Sequence, residues 1–316
     1  MKVIDDIKDW DAGATAATIG FFDGVHLGHR YLLAELRRLA AARGLPSAVI
    51  TFSRHPRIVL QSDYQPKMLN SFDEKIELLA ETGVDYAFIM DFTSGLAALS
   101  ADKFIKDILR NHLNIKMLLI GYDHRFGYKR AEGFEKYAEY GSECGIEVVS
   151  ASSFSNAGAA VSSSAVRRYI EAGNVAMAAR LLGYDYRLKG HVVGGAKIGR
   201  SIGFPTANIA VDEAFKVIPL YGSYAVWVVI DGHYMKGMLY VGSRPTVDDG
   251  VPSIEVNIFD FSDDIYGKEV MVEFVEFVRS DEKFASLEEL AVQMMKDKSA
   301  VDKILDEKSR YIKYKY

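Results

Sequence analysis

The chain has 316 residues, 49% hydrophobic and 26% charged, a balance that excludes long disordered segments and fits two globular domains. A formal net charge of −5 argues against a nucleic-acid binder, and a single cysteine, Cys144, excludes a disulfide framework or a cysteine-built metal site within one chain. Residues 1–10 lack the apolar core of a signal peptide and no apolar run reaches membrane-spanning length, so a soluble, cytoplasmic protein without a membrane partner is expected.

Residues 14–21 are apolar and β-leaning and predict a short buried strand. Asp23-Gly24 turns the chain. From Leu27 the period becomes helical. Leu32, Leu33, Leu36 and Leu39 share one face, Arg30, Arg37 and Arg38 look away, and Gly44 reads as the C-cap. The junction between strand and helix, residues 20–29, reads Gly-Phe-Phe-Asp-Gly-Val-His-Leu-Gly-His. His26 and His29 therefore stand at a helix N-terminus, where backbone N–H groups and the helix dipole favour an anion. Gly28 lets a phosphate approach the backbone closely. Two of seven histidines in this setting favour a phosphate site over a turn that happens to carry surface histidines.

Further strands are predicted over 47–52, 85–90, 116–120 and 146–150. Helices are predicted over 72–81, with Ile76, Leu79 and Ala80 inward, over 134–144, and from a Ser100 cap through Phe104, Ile105, Ile108 and Leu109. This alternation indicates βα units and a parallel sheet, with ligands at the carboxyl ends of its strands. Phe52-Ser53-Arg54-His55-Pro56 lies at such an end and offers an imidazole and a guanidinium. Gly121-Tyr122-Asp123-His124-Arg125-Phe126-Gly127 lies at another, where Asp123 can accept from a base or ribose. Ser162-Ser163-Ser164-Ala165-Val166-Arg167-Arg168 opens a helix. Its hydroxyls cap that helix and, with Arg167, also suit a triphosphate.

A Ser/Ala/Gly/Asn-rich stretch, 151–164, precedes two short helices, 165–171 and 175–182. After Tyr186 strands follow one another: 190–193, 221–230, 234–241, 254–259 and 270–278, with a hairpin at Asp231-Gly232. They predict a small antiparallel barrel, closed by one helix from about Ser286 whose Glu289 completes a capping box. The change of character puts the domain boundary near residue 184, giving domains 1–184 and 185–316. The basic, tyrosine-rich residues 308–316 read as a frayed helix end.

In the second half, Gly194-Gly195-Ala196-Lys197-Ile198-Gly199-Arg200 lacks the ending of a Walker A loop but is able to wrap phosphates with backbone N–H groups. Gly203-Phe204-Pro205-Thr206-Ala207-Asn208 follows. In an extended strand Thr206 and Asn208 face one side, offering Mg²⁺ a hydroxyl and an amide oxygen; a plain turn and strand explains the spacing equally well. Glu255, between Ile254 and Val256, points either to solvent or into the barrel mouth, where it would be a general base.

Together these motifs resemble the prokaryotic bifunctional riboflavin kinase/FAD synthetase family from end to end. Residues 20–29 look like its adenylyltransferase signature, and residues 121–127 and 162–167 like its second and third nucleotide motifs. Residues 203–208 look like its highly specific kinase signature. Gly242-Ser243-Arg244-Pro245-Thr246, Ser253-Ile254-Glu255, Tyr266-Gly267 and Phe277-Val278-Arg279 continue the match. The resemblance implies an α/β doubly wound, Rossmann-like nucleotidyltransferase domain followed by a small antiparallel β-barrel kinase domain with a C-terminal helix.

It also implies two reactions on small molecules. The barrel phosphorylates riboflavin with MgATP to give FMN, with Glu255 taking the proton from the ribityl 5′-hydroxyl while Thr206 and Asn208 hold Mg²⁺ and phosphate. The N-terminal domain joins FMN to AMP from a second ATP, giving FAD and pyrophosphate. There His26 and His29 stabilise the α-phosphate, and Ser163, Ser164 and Arg167 hold the departing phosphates. Implied nucleotide contacts are Gly20, Phe22, Asp23, Gly28, Asp123 and Arg125 in the first domain, and Gly194, Gly199, Arg200, Gly203 and Thr206 in the second. Implied substrate contacts are Phe52, His55, Pro56, Phe126 and Arg279. Phe21 and Asp123 stand where many relatives have Asn, and Ser164 where Thr is frequent. The competing readings are an enzyme that keeps one activity only and a flavin-binding regulator without turnover.

Overall fold

The computed structural model describes residues 1–5, 10, 13–55, 66–122, 124–156, 159–195, 198–243 and 252–312. The chain divides into two units, Met1–Ser163 and Ser164–Tyr316. Pro56, Asp123, Ala196, Lys197, the Arg244-Pro245-Thr246 run and residues 313–316 lie outside the described residues.

The first unit is built on six parallel strands: β1 (Lys2–Ile4), β2 (Thr15–Ile19), β3 (Ser47–Phe52), β4 (Tyr86–Met90), β5 (Ile115–Ile120) and β6 (Glu147–Ser150). Every residue of β2 and β3 is buried, as expected for strands covered on both faces. The sheet order is β1-β4-β3-β2-β5-β6. From β2 the chain builds outward to β3 and β4, then crosses back to β5 on the other side. The carboxyl ends of β2 and β5 therefore flank the switch point where such sheets bind ligands. The Gly20 and Gly121 segments begin there.

The helices of this unit are α1 (Leu27–Ala41), α2 (Phe72–Ala80), α3 (Ser94–Ala97), α4 (Ala101–Lys103) and α5 (Phe134–Cys144). Helix α1 buries Leu33, Leu36 and Ala40 and packs on β2 and β3. It is capped at Ala42 and not at Gly44, which takes a left-handed conformation two residues further on. Helix α2 does not present the face expected of it. Glu74, Lys75, Leu78 and Leu79 are buried, whereas Ala80 is exposed. Two polar bonds set this orientation: Glu74 completes a capping box with Ser71, and the Lys75 amine is drawn inward to the Phe52 carbonyl. After the Ser100 cap, α4 runs into a π-helical stretch, Phe104–His112. Its wider turns leave Ile108 half-buried while Phe104, Ile105 and Leu109 enter the core. A short hairpin, β7 (Ser155–Asn156) with β8 (Ala159–Ala160), occupies the small-residue stretch.

Helices α6 (Ser163–Glu171) and α7 (Val175–Leu182) precede the barrel. Its strands are β9 (Tyr186–Val193), β10 (Ala207–Val211), β11 (Gly222–Ile230), β12 (His233–Gly242), β13 (Ser253–Ile258) and β14 (Glu269–Ser280). They close in the order β10-β13-β12-β11-β14-β9, antiparallel throughout. Asp231 and Gly232 both take positive φ, as a two-residue hairpin of the primed type requires. A short helix, α8 (Ile198–Ser201), follows the glycine-rich loop. The last helix, α9 (Leu287–Ile312), packs on β11, β12 and β14. Ser286 accepts from the Glu289 N–H, and the Glu289 carboxylate accepts from Ala285, one residue ahead of the expected box. Among the described residues no helix is long and apolar enough to cross a membrane.

Candidate functional site

The β2–α1 turn is held by four features. Gly20 N–H donates to Ile50 O at 3.0 Å, and a Cβ on Gly20 would crowd the Phe22 ring. Phe22 and Val25 both take positive φ inside the core, a strained geometry that only a well-determined site sustains. Thr51 donates its hydroxyl proton to Phe21 O at 3.1 Å. The buried Asp23 carboxylate accepts from Leu69 N at 2.9 Å and Asn70 N at 3.4 Å, so it fastens the turn to the segment before α2.

On this frame His26 is the N-cap of α1, its Nδ1 accepting from the His29 N–H at 3.3 Å. With Nδ1 an acceptor, the neutral ring carries its proton on Nε2. The His26 and His29 rings stack at 3.6 Å, and the Phe22 ring meets His29 edge-on at 5.1 Å. Burial first, then His26 and His124, hold the His29 pKa well below the usual imidazole value. Its buried Nδ1 has no hydrogen-bond partner among the described residues. Two imidazoles and a helix N-terminus thus form a donor set of the kind that receives an anion. Ser163 Oγ donates to Asp23 O at 2.8 Å, which ties the last residue of the first unit to the turn. Ser164 and Arg167 follow on the same helix, Arg167 Nη2 lying 3.3 Å from Ser164 Oγ.

Other residues singled out in the first unit have packing roles. Phe52 and Phe126 belong to the apolar core. Phe126 stacks on Tyr137 at 4.2 Å, and the Tyr137 hydroxyl bonds the Phe126 backbone. His55 meets the Phe21 ring edge-on at 4.7 Å. Arg125 is exposed, and Gly28 lies against the His26 ring. No pattern in the sequence marks Lys75 as turning inward; periodicity assigns the inward face of α2 to its neighbours.

In the barrel, the β10–β13 ladder sets Asn208 opposite Glu255. Thr206 donates its hydroxyl proton to Glu255 Oε2 at 3.1 Å, and Ser253 donates to Glu255 Oε1 at 3.2 Å. Asn257 Nδ2 donates to Pro205 O at 2.7 Å and fixes the approach to Thr206. Ser253, Glu255 and Asn257 alternate along β13, so a period-two reading puts all three on one face; Ser253 stands in a matched motif without a role, and Asn257 outside it. A Cβ on Gly195 would clash with the Asn208 amide, and one on Gly199 with Phe204 O. The glycine-rich loop therefore lies directly on the Thr206–Asn208–Glu255 group, with Gly203 at positive φ, while Gly194 and Arg200 are exposed. Tyr240 pairs with Glu255 across β12–β13 and donates to Asp281 at 2.7 Å. Arg279 serves the packing of the last helix. Its Nε donates to Asp297 Oδ2 at 2.8 Å and its guanidinium covers Phe284, which pins α9 to β14.

Comparisons with known proteins divide the chain in the same order. Residues 8–165 match the family model described as FAD synthetase, and residues 182–305 the model described as riboflavin kinase. The Escherichia coli (strain K12) bifunctional riboflavin kinase/FMN adenylyltransferase is 40% identical over 281 residues, 89% of each chain. The Bacillus subtilis (strain 168) protein of that name is 35% identical over 298 residues, 92% of each chain. A crystal structure from Streptococcus pneumoniae, described as a macrolide-efflux protein, is 32% identical with a TM-score of 0.86, covering 95% of this chain and 98% of that one. With both family models in tandem and relatives matched along nearly its whole length, the chain belongs to the bifunctional riboflavin kinase/FMN adenylyltransferase family.

Proposed function

We infer that this chain is an enzyme of two activities, phosphorylating riboflavin to FMN and adenylylating FMN to FAD. The observation that carries the reading is the Thr206–Glu255 hydrogen bond opposite Asn208, in a chain that also presents the stacked His26–His29 pair. A single-activity enzyme or a regulator without turnover would be expected to lack one of these groups. The functional domains are taken as 1–184 and 185–316.

In the kinase step Glu255, oriented by Thr206 and Ser253, accepts the proton of the riboflavin 5′-hydroxyl as its oxygen attacks the γ-phosphorus of ATP. Backbone N–H groups around Gly194, Gly199 and Gly203, with Arg200, bind the phosphates. Thr206 and Asn208 would hold Mg²⁺. The donor set fits a hard cation that keeps waters and substrate phosphates, being oxygen-rich with one carboxylate beside it. When bound, the ion neutralises charge on the transferring phosphoryl group.

In the adenylylation step a phosphate oxygen of FMN attacks the α-phosphorus of a second ATP, and the bond to pyrophosphate breaks. His26 and His29 donate to the α-phosphate oxygens. The low pKa of His29 makes it a neutral donor at neutral pH, so hydrogen bonds and the α1 N-terminus supply the stabilisation. The resemblance assigns Ser163, Ser164 and Arg167 to the leaving pyrophosphate, and Gly20, Phe22, Asp23, Gly28, Asp123 and Arg125 to the nucleotide. The resemblance assigns flavin contacts to Phe52, His55, Pro56, Phe126 and Arg279; of these, Phe52 and Phe126 pack in the core and Arg279 holds Asp297. We take the setting as cytoplasmic, with ATP, riboflavin and FMN as the partners and no nucleic acid or membrane; the acidic charge supports it.

The test is a time course with riboflavin and MgATP, the flavins separated by chromatography. FMN is expected first and FAD after it. FMN that persists without FAD would remove the second activity, and no product would remove both.

A further inference from the structure

Lys75 is 3% exposed, although a lysine on a surface helix ordinarily lays its stem on the protein and keeps its amine in water. Burying an ammonium is costly unless something holds it. Here Nζ donates to the Phe52 carbonyl at 2.8 Å, at the carboxyl end of β3. It also lies over the Phe21 ring, 4.4 Å from its centre, and 5.3 Å from the centre of Phe72. The Asp23 carboxylate, on the same turn as Phe21, favours the charged amine. One side chain of α2 thus contacts the end of β3 and the turn that leads into His26 and His29. The contact also accounts for Phe21, whose ring covers a buried cation on one side and meets His55 on the other.

We propose that Lys75 is a positioning residue for adenylyl transfer, its ammonium tying the β2–α1 turn to the end of β3 and so setting where His26 and His29 meet the nucleotide. This rests on the reading that the first unit adenylylates FMN. The role depends on charge. A neutral amine still donates to Phe52 O, but it loses its attraction to Asp23 and to the face of Phe21.

Burial lowers the Lys75 pKa to about 8, with Asp23 opposing the shift. The charge is therefore present below about pH 8 and lost above it. Among the described residues, the titratable groups on the elements around the amine include Asp23 on the turn, His55 across the Phe21 ring, Asp91, which accepts from Ser53 beside Phe52, and Asp73, Glu74 and Glu77 on α2, the Glu74 carboxylate capping the Ser71 N–H. His26 and His29 lie further along the turn. Carboxylates and imidazoles ordinarily titrate below the window in which Lys75 loses its proton.

The experiment measures kcat/KM for FMN with saturating MgATP from pH 6.5 to 10, on the full chain and on Lys75→Arg and Lys75→Met. Riboflavin kinase rates of the same preparations serve as the internal control. The wild-type value is expected to fall above about pH 8. Lys75→Arg should keep activity and carry that limb upward by roughly a pH unit or more, because guanidinium keeps its proton. Lys75→Met should lower kcat/KM about tenfold or more and abolish the limb, with the kinase rate unchanged. A wild-type profile flat through this window overturns the proposal, as does a Lys75→Met profile that matches wild type. If Lys75→Met fails to fold, which a lowered urea midpoint or a lost near-ultraviolet circular-dichroism signal would reveal, the wild-type and Lys75→Arg limbs decide alone. Absence of FAD from wild type and FMN overturns the adenylyltransferase reading itself, and so is distinguishable from failure of the Lys75 proposal.

Discussion

The glycine-rich loop passes so close to the Asn208 amide at Gly195 that a Cβ there would clash with it. That contact is the most sensitive point of the barrel site, since even one methyl group would displace the loop or the amide. Gly195→Ala is therefore expected to cut riboflavin phosphorylation by about tenfold to a hundredfold while leaving FMN adenylylation intact. Steady-state kinetics on each substrate check this, and an unchanged kinase rate would show that the loop has room to move. The structure brings together Thr206, Asn208 and Glu255, all named in motifs, although the spacing of Thr206 and Asn208 fits a plain turn and strand equally well. The bonds of Ser253 and Asn257 were not legible, since nothing in a polar side chain itself says that it bonds Glu255 or Pro205. Lys75 was hidden for a stronger reason. The α2 pattern offers apolar residues enough for an inward face, and only the position of the Phe52 carbonyl turns the amine inward.

At the scale of elements, α9 owes its place to a buried ion pair as well as to apolar packing. Ala225, Met238, Phe259 and Val275 meet Val301 and Leu305, while Asp297, almost wholly buried, receives Arg279 and also the Gln293 amide at 2.8 Å. Removing the carboxylate leaves a partly buried guanidinium short of its main partner. Asp297→Ala should cost about 1–3 kcal/mol, read as a lower urea midpoint for the barrel unit. An unchanged midpoint would mean that the helix is held by its apolar face alone. The sequence pattern located α9, β11, β12 and β14 because their apolar periods run for many residues, but found only the last half of β9 (Tyr186–Val193). Strand β10 is short and only Ile209 in it is buried, so it left no period to read. The π-helical stretch escaped for a different reason. Its residues fit a helix of ordinary pitch, and the wider turn is a property of packing between β5 and α5.

At the scale of the molecule, two candidate sites lie in one chain: a pair of stacked imidazoles at a helix N-terminus in the first unit, and a hydrogen-bonded carboxylate in the barrel. The flavin that the second reaction consumes is the product of the first. The central claim is that the two activities have separate catalytic groups. It is tested by assaying Glu255→Ala and His29→Ala on riboflavin and on FMN, each with MgATP. Glu255→Ala is predicted to leave riboflavin unused yet convert FMN to FAD at close to the wild-type rate. His29→Ala is predicted to convert riboflavin to FMN and stop there. A variant that loses both reactions while remaining folded, or one that loses neither, would contradict the account.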